Sequence, residues 1–129
     1  MRKLLSITLA ALCLTACQES LEEKCAKEAK VYTAKNCPSK IDENIIIDSM
    51  TFERSTHTLH YYYRMTGIAD SVGVLSIEGV KSTLVKDLRN TTAMKAYKDA
   101  GYSFAYTYRS DKHPDTILYD VLIRAEDYK

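Results

Sequence analysis

Histidine, cysteine and clustered tyrosine are the residue types in this chain with chemistry to offer. The 129 residues hold three histidines, four cysteines and ten tyrosines, with two phenylalanines and no tryptophan. His57 and His60 lie three apart. On a helix that spacing would put both on one face, ready to share a metal ion. On or beside a strand it points them to opposite faces, which argues against joint ligation. The surrounding pattern is that of a strand, so the expectation is a turn histidine and a sheet-surface histidine. His113, ahead of Pro114 and Asp115, reads as part of a turn. No Gly-x-Ser-x-Gly, phosphate loop, His-Glu-x-x-His or Cys-x-x-Cys occurs. No catalytic residue, metal ligand or cofactor is therefore assigned.

The tyrosines hold more promise. Tyr61 and Tyr63 share one face of a strand, and Tyr102, Tyr106 and Tyr108 share a face of another. Packed under helices, they are core, with hydroxyls reaching for the rim. Left open, they form an aromatic platform for a sugar, a peptide or a protein. Core is the reading adopted. His60, Tyr62 and Arg64 fall on the opposite face from Tyr61, and they are the expected exposed binding surface for a protein or glycan partner.

The elements that position these residues follow from periodicity. Ser20-Leu21-Glu22-Glu23 has the form of a capping box. Leu21, Cys25, Ala29 and Tyr32 then make one apolar stripe on a charged helix that Asn36 and Pro38 end. Ile45–Arg54 and Thr58–Thr66 read as strands joined by a turn at Ser55-Thr56-His57. Ile77, Val80, Leu84 and Leu88 recur at helical spacing, with Gly79 weakening the first turn by about 1 kcal/mol relative to Ala. A short continuation over Thr92–Ala100 stops at Gly101. Tyr102 to Arg109 alternates strictly, Ser110 to Asp115 turns, and Thr116–Glu126 is a last strand with Ile117, Tyr119, Val121 and Ile123 on one face. The order α-ββ-α-ββ predicts an α+β two-layer sandwich: a four-stranded antiparallel sheet with both helices on one face.

The first seventeen residues form a separate unit. Met1-Arg2-Lys3 precedes an apolar run from Leu4 to Leu14, the layout of a secretory signal. The run is too short to span a bilayer, which takes about 20 residues. Leu14-Thr15-Ala16-Cys17 resembles the lipobox of bacterial lipoproteins. The resemblance implies thioether lipidation of Cys17, cleavage before it and acylation of the new N-terminus. Each buried methylene contributes about 0.8 kcal/mol, so two or three chains give a lasting anchor where one does not. Gln18 after Cys17 resembles the outer-membrane address of proteobacterial lipoproteins. The expected organisation is a signal peptide over 1–16, a lipidated N-terminus and tether over 17–20, and one domain over 21–129.

Cleavage leaves 113 residues, a usual domain size. Loss of Arg2 and Lys3 takes Lys plus Arg from 18 to 16 against 17 Asp plus Glu, a net charge of −1. With no basic excess or run, nucleic acid is not an expected partner. Cys25 and Cys37 are an even pair in an exported chain, which invites a disulfide worth roughly 3 kcal/mol. A helix reaching Lys35 would hold them about 15 Å apart, and a disulfide tolerates about 7 Å between α-carbons. The bond therefore requires the helix to end near Lys30; two free thiols are the rival reading.

Cys37-Pro38, Ile41-Asp42, Asp48-Ser49-Met50, Tyr61-Tyr62-Tyr63, Thr66-Gly67, Asp70, Ala96-Tyr97-Lys98 and Asp127-Tyr128 together resemble a group of small uncharacterised lipoproteins of Bacteroidetes. That resemblance implies an envelope location and a shared fold, and carries no activity. The expectation is a lipid-anchored envelope protein, placed at the outer membrane, that works as a binding or accessory module. A small hydrolase or inhibitor-type protein with a site assembled by folding is the alternative.

Overall fold

A computed structural model describes residues 19–71, 73 and 76–129. The signal segment and Cys17 lie outside the described residues. Helix α1 spans Leu21–Asn36, and the Ser20 hydroxyl caps it by accepting from the Glu23 amide at 3.1 Å. Its Cys25 and Ala29 are buried, with Leu21 and Tyr32 packed beside them. Strands β1 (Ser39–Asp42), β2 (Ile45–Glu53) and β3 (Thr58–Met65) follow. After a 3-10 turn at Gly67–Ala69 come α2 (Ile77–Asn90), a second 3-10 turn (Thr92–Met94) and α3 (Lys95–Asp99). Gly101, at φ +78°, ends that helical stretch in the left-handed region that glycine enters at no steric cost. Strands β4 (Ser103–Ser110) and β5 (Ile117–Ile123) and the short helix α4 (Ala125–Tyr128) complete the chain. No described helix is long and apolar enough to cross a membrane.

The sheet has five strands in the order β1-β2-β3-β4-β5, so the expected α+β class holds while the expected four-stranded antiparallel sheet does not. The extra strand is β1, only four residues with one apolar side chain, too short to show a period. The central pair β3–β4 is parallel. A parallel pair needs a long crossover, and the α2–α3 segment supplies it by returning the chain to the end where β3 began. The last expected strand also ends early, because residues 125–128 turn into α4.

Parallel register sets Leu59 beside Phe104, Tyr61 beside Tyr106 and Tyr63 beside Tyr108. Their rings stack at 5.0 Å for Tyr61–Tyr106 and 4.8 Å for Tyr63–Tyr108. Phe104 and Ile123 are 0 % exposed at the middle of this core, and Cys25, Ala29 and Leu88 of the helices close over it. The tyrosine faces are therefore core, as adopted from the sequence. A register shift next to Arg109 changes the start of β5. Ile117 pairs with Arg109 and stands exposed, while Leu118 packs against the core, the reverse of strict alternation.

Candidate functional site

His60, Tyr62 and Arg64 alternate with core residues along β3, on the sheet face that no described helix covers. Their polar atoms are engaged within the chain. The β2 bulge adds Asp48 as a residue with no cross-strand partner, and its carboxylate accepts from Arg64 Nε at 2.9 Å. Arg64 Nη1 donates to Asp111 at 2.9 Å, so the guanidinium bridges β2 to the β4–β5 turn. His60 stacks on Tyr62 with ring centroids 4.1 Å apart. Its Nε2 lies 2.7 Å from Thr107 Oγ1, and Thr107 donates to Asp120 at 3.0 Å.

That trio has the residue types of a nucleophile, a base and an acid, but the wiring differs from a catalytic triad. The threonine proton is directed at the carboxylate, and the histidine faces a hydroxyl oxygen whose proton is already committed. Thr107 is also buried. The arrangement fastens β3, β4 and β5 together and does not activate a nucleophile.

The cysteines offer no chemistry either. Helix α1 runs through Asn36, so the early end that a disulfide required is absent, and Cys25 and Cys37 are free thiols. At about 1.5 Å per residue the helix holds them far beyond disulfide reach. Burial, reinforced by Glu28, pushes the Cys25 thiol up to about 11, against a weaker opposing hydrogen bond with Tyr97. Burial and Asp48 raise Cys37 as well. Both thiols are thus held away from the thiolate form that reacts or binds metal. His57 closes the β2–β3 turn at φ +50°, bonded to Glu22 at the start of α1 and stacked 4.9 Å from Tyr102. His113 sits in the β4–β5 turn, its amide donating to Ser110 Oγ at 3.0 Å. Among the described residues, no group of three His, Cys, Asp or Glu side chains is placed to hold a metal ion.

A mainly apolar concave feature lies on the other face. Helix α2 is anchored by buried Leu88 near its C-terminus, while Val80 and Leu84 nearer its N-terminus are only partly buried against the sheet. The wedge between them is a groove of about 400 Å³ lined by Ile45, Met65, Val80, Leu84, Tyr108 and Tyr119. Gly79 lies on its helix wall, where a β-carbon would come within 2.9 Å of the Ser76 hydroxyl that caps the helix. Burial, and next to it Asp87, pushes the Tyr108 phenol up to about 12, so that side chain stays neutral at physiological pH. Ile77, in the first turn of α2, is half exposed, and Ile68 on the first 3-10 turn is 86 % exposed. Sequence reasoning missed this groove. Its one sequence sign is Gly79, placed inside an otherwise regular helical stripe.

A two-layer α+β domain with a parallel central strand pair and an apolar groove under one helix defines the class. The chain belongs to the family described as Domain of unknown function (DUF8479), whose match spans residues 20–119. Solved structures share the fold. A protein described as secreted, from Pseudomonas aeruginosa, superposes with a TM-score of 0.69 at 17 % identity, over 87 % of this chain and 100 % of that one. The type II secretion system pilotin AspS of Vibrio cholerae gives 0.61 at 18 % identity, over 83 % and 91 %. The type II secretion system pilotin EpsS of Vibrio vulnificus gives 0.66 at 15 % identity, over 84 % and 92 %. At these identities the likeness is one of fold. No protein of curated function matches the chain.

Proposed function

We propose that this protein is a lipid-anchored accessory module of the cell envelope that holds a protein partner in the groove between α2 and the sheet. The observation that carries the reading is the groove, about 400 Å³ with apolar residues along its walls and floor. An apolar concavity favours side chains that leave water, at about 25 cal/mol for each Å² buried. Two pilotins and a protein described as secreted share the fold, which supports an accessory role in the envelope. The lipobox at Leu14-Thr15-Ala16-Cys17 supports the anchor, and Gln18 supports the outer membrane as its place. The uncharged groove and the net charge of −1 expected after cleavage before Cys17 favour a protein over nucleic acid.

Photo-crosslinking in cells tests the site. A photoreactive residue at Thr83, exposed on the groove wall, is expected to yield one discrete adduct. The same residue at Thr51, exposed on the open face, is expected to yield none. Leu84→Lys should abolish the Thr83 adduct while the protein stays at its normal level. Equal adducts from both positions, or a Thr83 adduct that survives Leu84→Lys, would show that the groove is not the docking site.

A further inference from the structure

We propose that one acyl chain of the lipid on Cys17 folds back along α1 and lies in an apolar furrow of the protein's own surface while the molecule is away from a bilayer. The furrow, of about 510 Å³, follows α1 from Glu19, just ahead of the helix, to Asn36, its last residue. Val31 and Tyr32 of α1, Met50 of β2 and Met94 of the second 3-10 turn supply its apolar surface. Val31 lies off the stripe of Leu21, Cys25, Ala29 and Tyr32 that packs on the core, and it is 41 % exposed, so the fold itself makes little use of it. The two methionines bring flexible, unbranched side chains that adapt to an irregular apolar guest. Lys24 and Lys27 also line the furrow. Methylene stems of lysine cover apolar surface while the ammonium stays in water.

Place and length argue for this occupant. Glu19 is the second residue after Cys17. Two residues span at most about 7 Å, so a chain leaving Cys17 starts beside the furrow's near end. From Lys24 to Asn36 the helix rises about 18 Å, at about 1.5 Å per residue. One acyl chain reaches across half of the roughly 30 Å hydrocarbon core of a bilayer, about 15 Å. The furrow is thus long enough for a single extended chain. Each methylene that enters it leaves water, which favours the folded-back state in solution. A bilayer offers the same chain wholly hydrocarbon surroundings, so contact with a membrane empties the furrow. The device lessens the hydrocarbon that a lipidated chain exposes while it crosses water. It rests on the lipid anchor and is independent of the groove under α2.

Lipidated protein purified from cells fed a palmitate with a photoreactive diazirine tests the proposal. Irradiated in dilute, detergent-free buffer, it is expected to crosslink within one molecule, to peptides that carry Val31, Met50 or Met94. Vesicles of phosphatidylethanolamine and phosphatidylglycerol should abolish those crosslinks. Val31→Glu sets a carboxylate in the furrow and should cut them by about fivefold or more, with circular dichroism unchanged. Lys30→Glu, exposed on α1 outside the furrow, should leave them as they were. Crosslinks that join two chains, scatter over the surface, persist on vesicles or survive Val31→Glu overturn the proposal and leave the anchor standing. A chain whose intact mass shows no labelled acyl group overturns anchor and proposal together.

Discussion

Tyrosine fills places in this core where phenylalanine or leucine would be the plainer choice, and the phenols change how the fold answers to pH. Burial is the leading cause that raises Tyr61, Tyr63, Tyr106 and Tyr108, and Tyr108 reaches about 12. In the unfolded chain these phenols titrate near 10. Above that pH the unfolded chain gives up protons that the folded chain keeps, so stability falls as pH rises. Below it their contribution is fully present. In an alkaline titration read at the phenolate band, these four residues are expected to ionise only as near-ultraviolet dichroism is lost. Ionisation near pH 10 with the dichroism intact would defeat this account. The core assignment itself was legible, because Tyr61, Tyr63, Tyr106 and Tyr108 alternate with polar residues. The stacking of Tyr61 on Tyr106 was not, since alternation fixes a face and leaves the neighbouring strand's direction open.

The same limit governs the elements. Both long helices showed in their apolar stripes, and Ser20, Asn36 and Gly101 marked ends that the structure retains. Strand β1 did not show, and its shortness leaves most of the outer edge of β2 without a strand partner among the described residues. Helix α1 covers part of that edge with one side chain. The Thr33 hydroxyl accepts from the Met50 amide and donates to the Met50 carbonyl, both at 2.9 Å, standing in for the missing strand. Thr33→Val keeps the side chain's shape and removes both bonds. Part-buried backbone groups left unpaired cost about 1–3 kcal/mol. Urea unfolding should show that loss for Thr33→Val, while Thr33→Ser stays close to the parent chain. If valine is as stable as serine, the hydroxyl does not support the edge. The parallel β3–β4 pair escaped prediction for a related reason. Two hairpins joined by a helix can merge in either sense, and only the path of α2 and α3 decides.

At the scale of the molecule, the start of α1 and the groove lie far apart. Glu22, in the first turn of α1, is bonded to His57 at the β2–β3 turn, so that turn sits at the end where the chain leaves for Cys17. Ile45 and Met65, at the opposite ends of the same two strands, line the groove. Eight residues of β3 at about 3.3 Å each set the two ends roughly 25 Å apart. A lipid on Cys17, three residues before the Ser20 cap, would hold the domain close to the bilayer with the groove turned away from it. Anchor and groove are then separable in experiment. Cys17→Ser is expected to leave a precursor that keeps residues 1–16 and lacks acyl chains, which intact-mass measurement reads directly. The Thr83 adduct should weaken in that variant, because the groove survives while confinement near the partner is lost. Leu84→Lys should give the opposite pattern, with normal lipidated mass and no adduct. A Cys17→Ser chain that is still cleaved and acylated would remove the anchor from the account and leave the groove proposal standing.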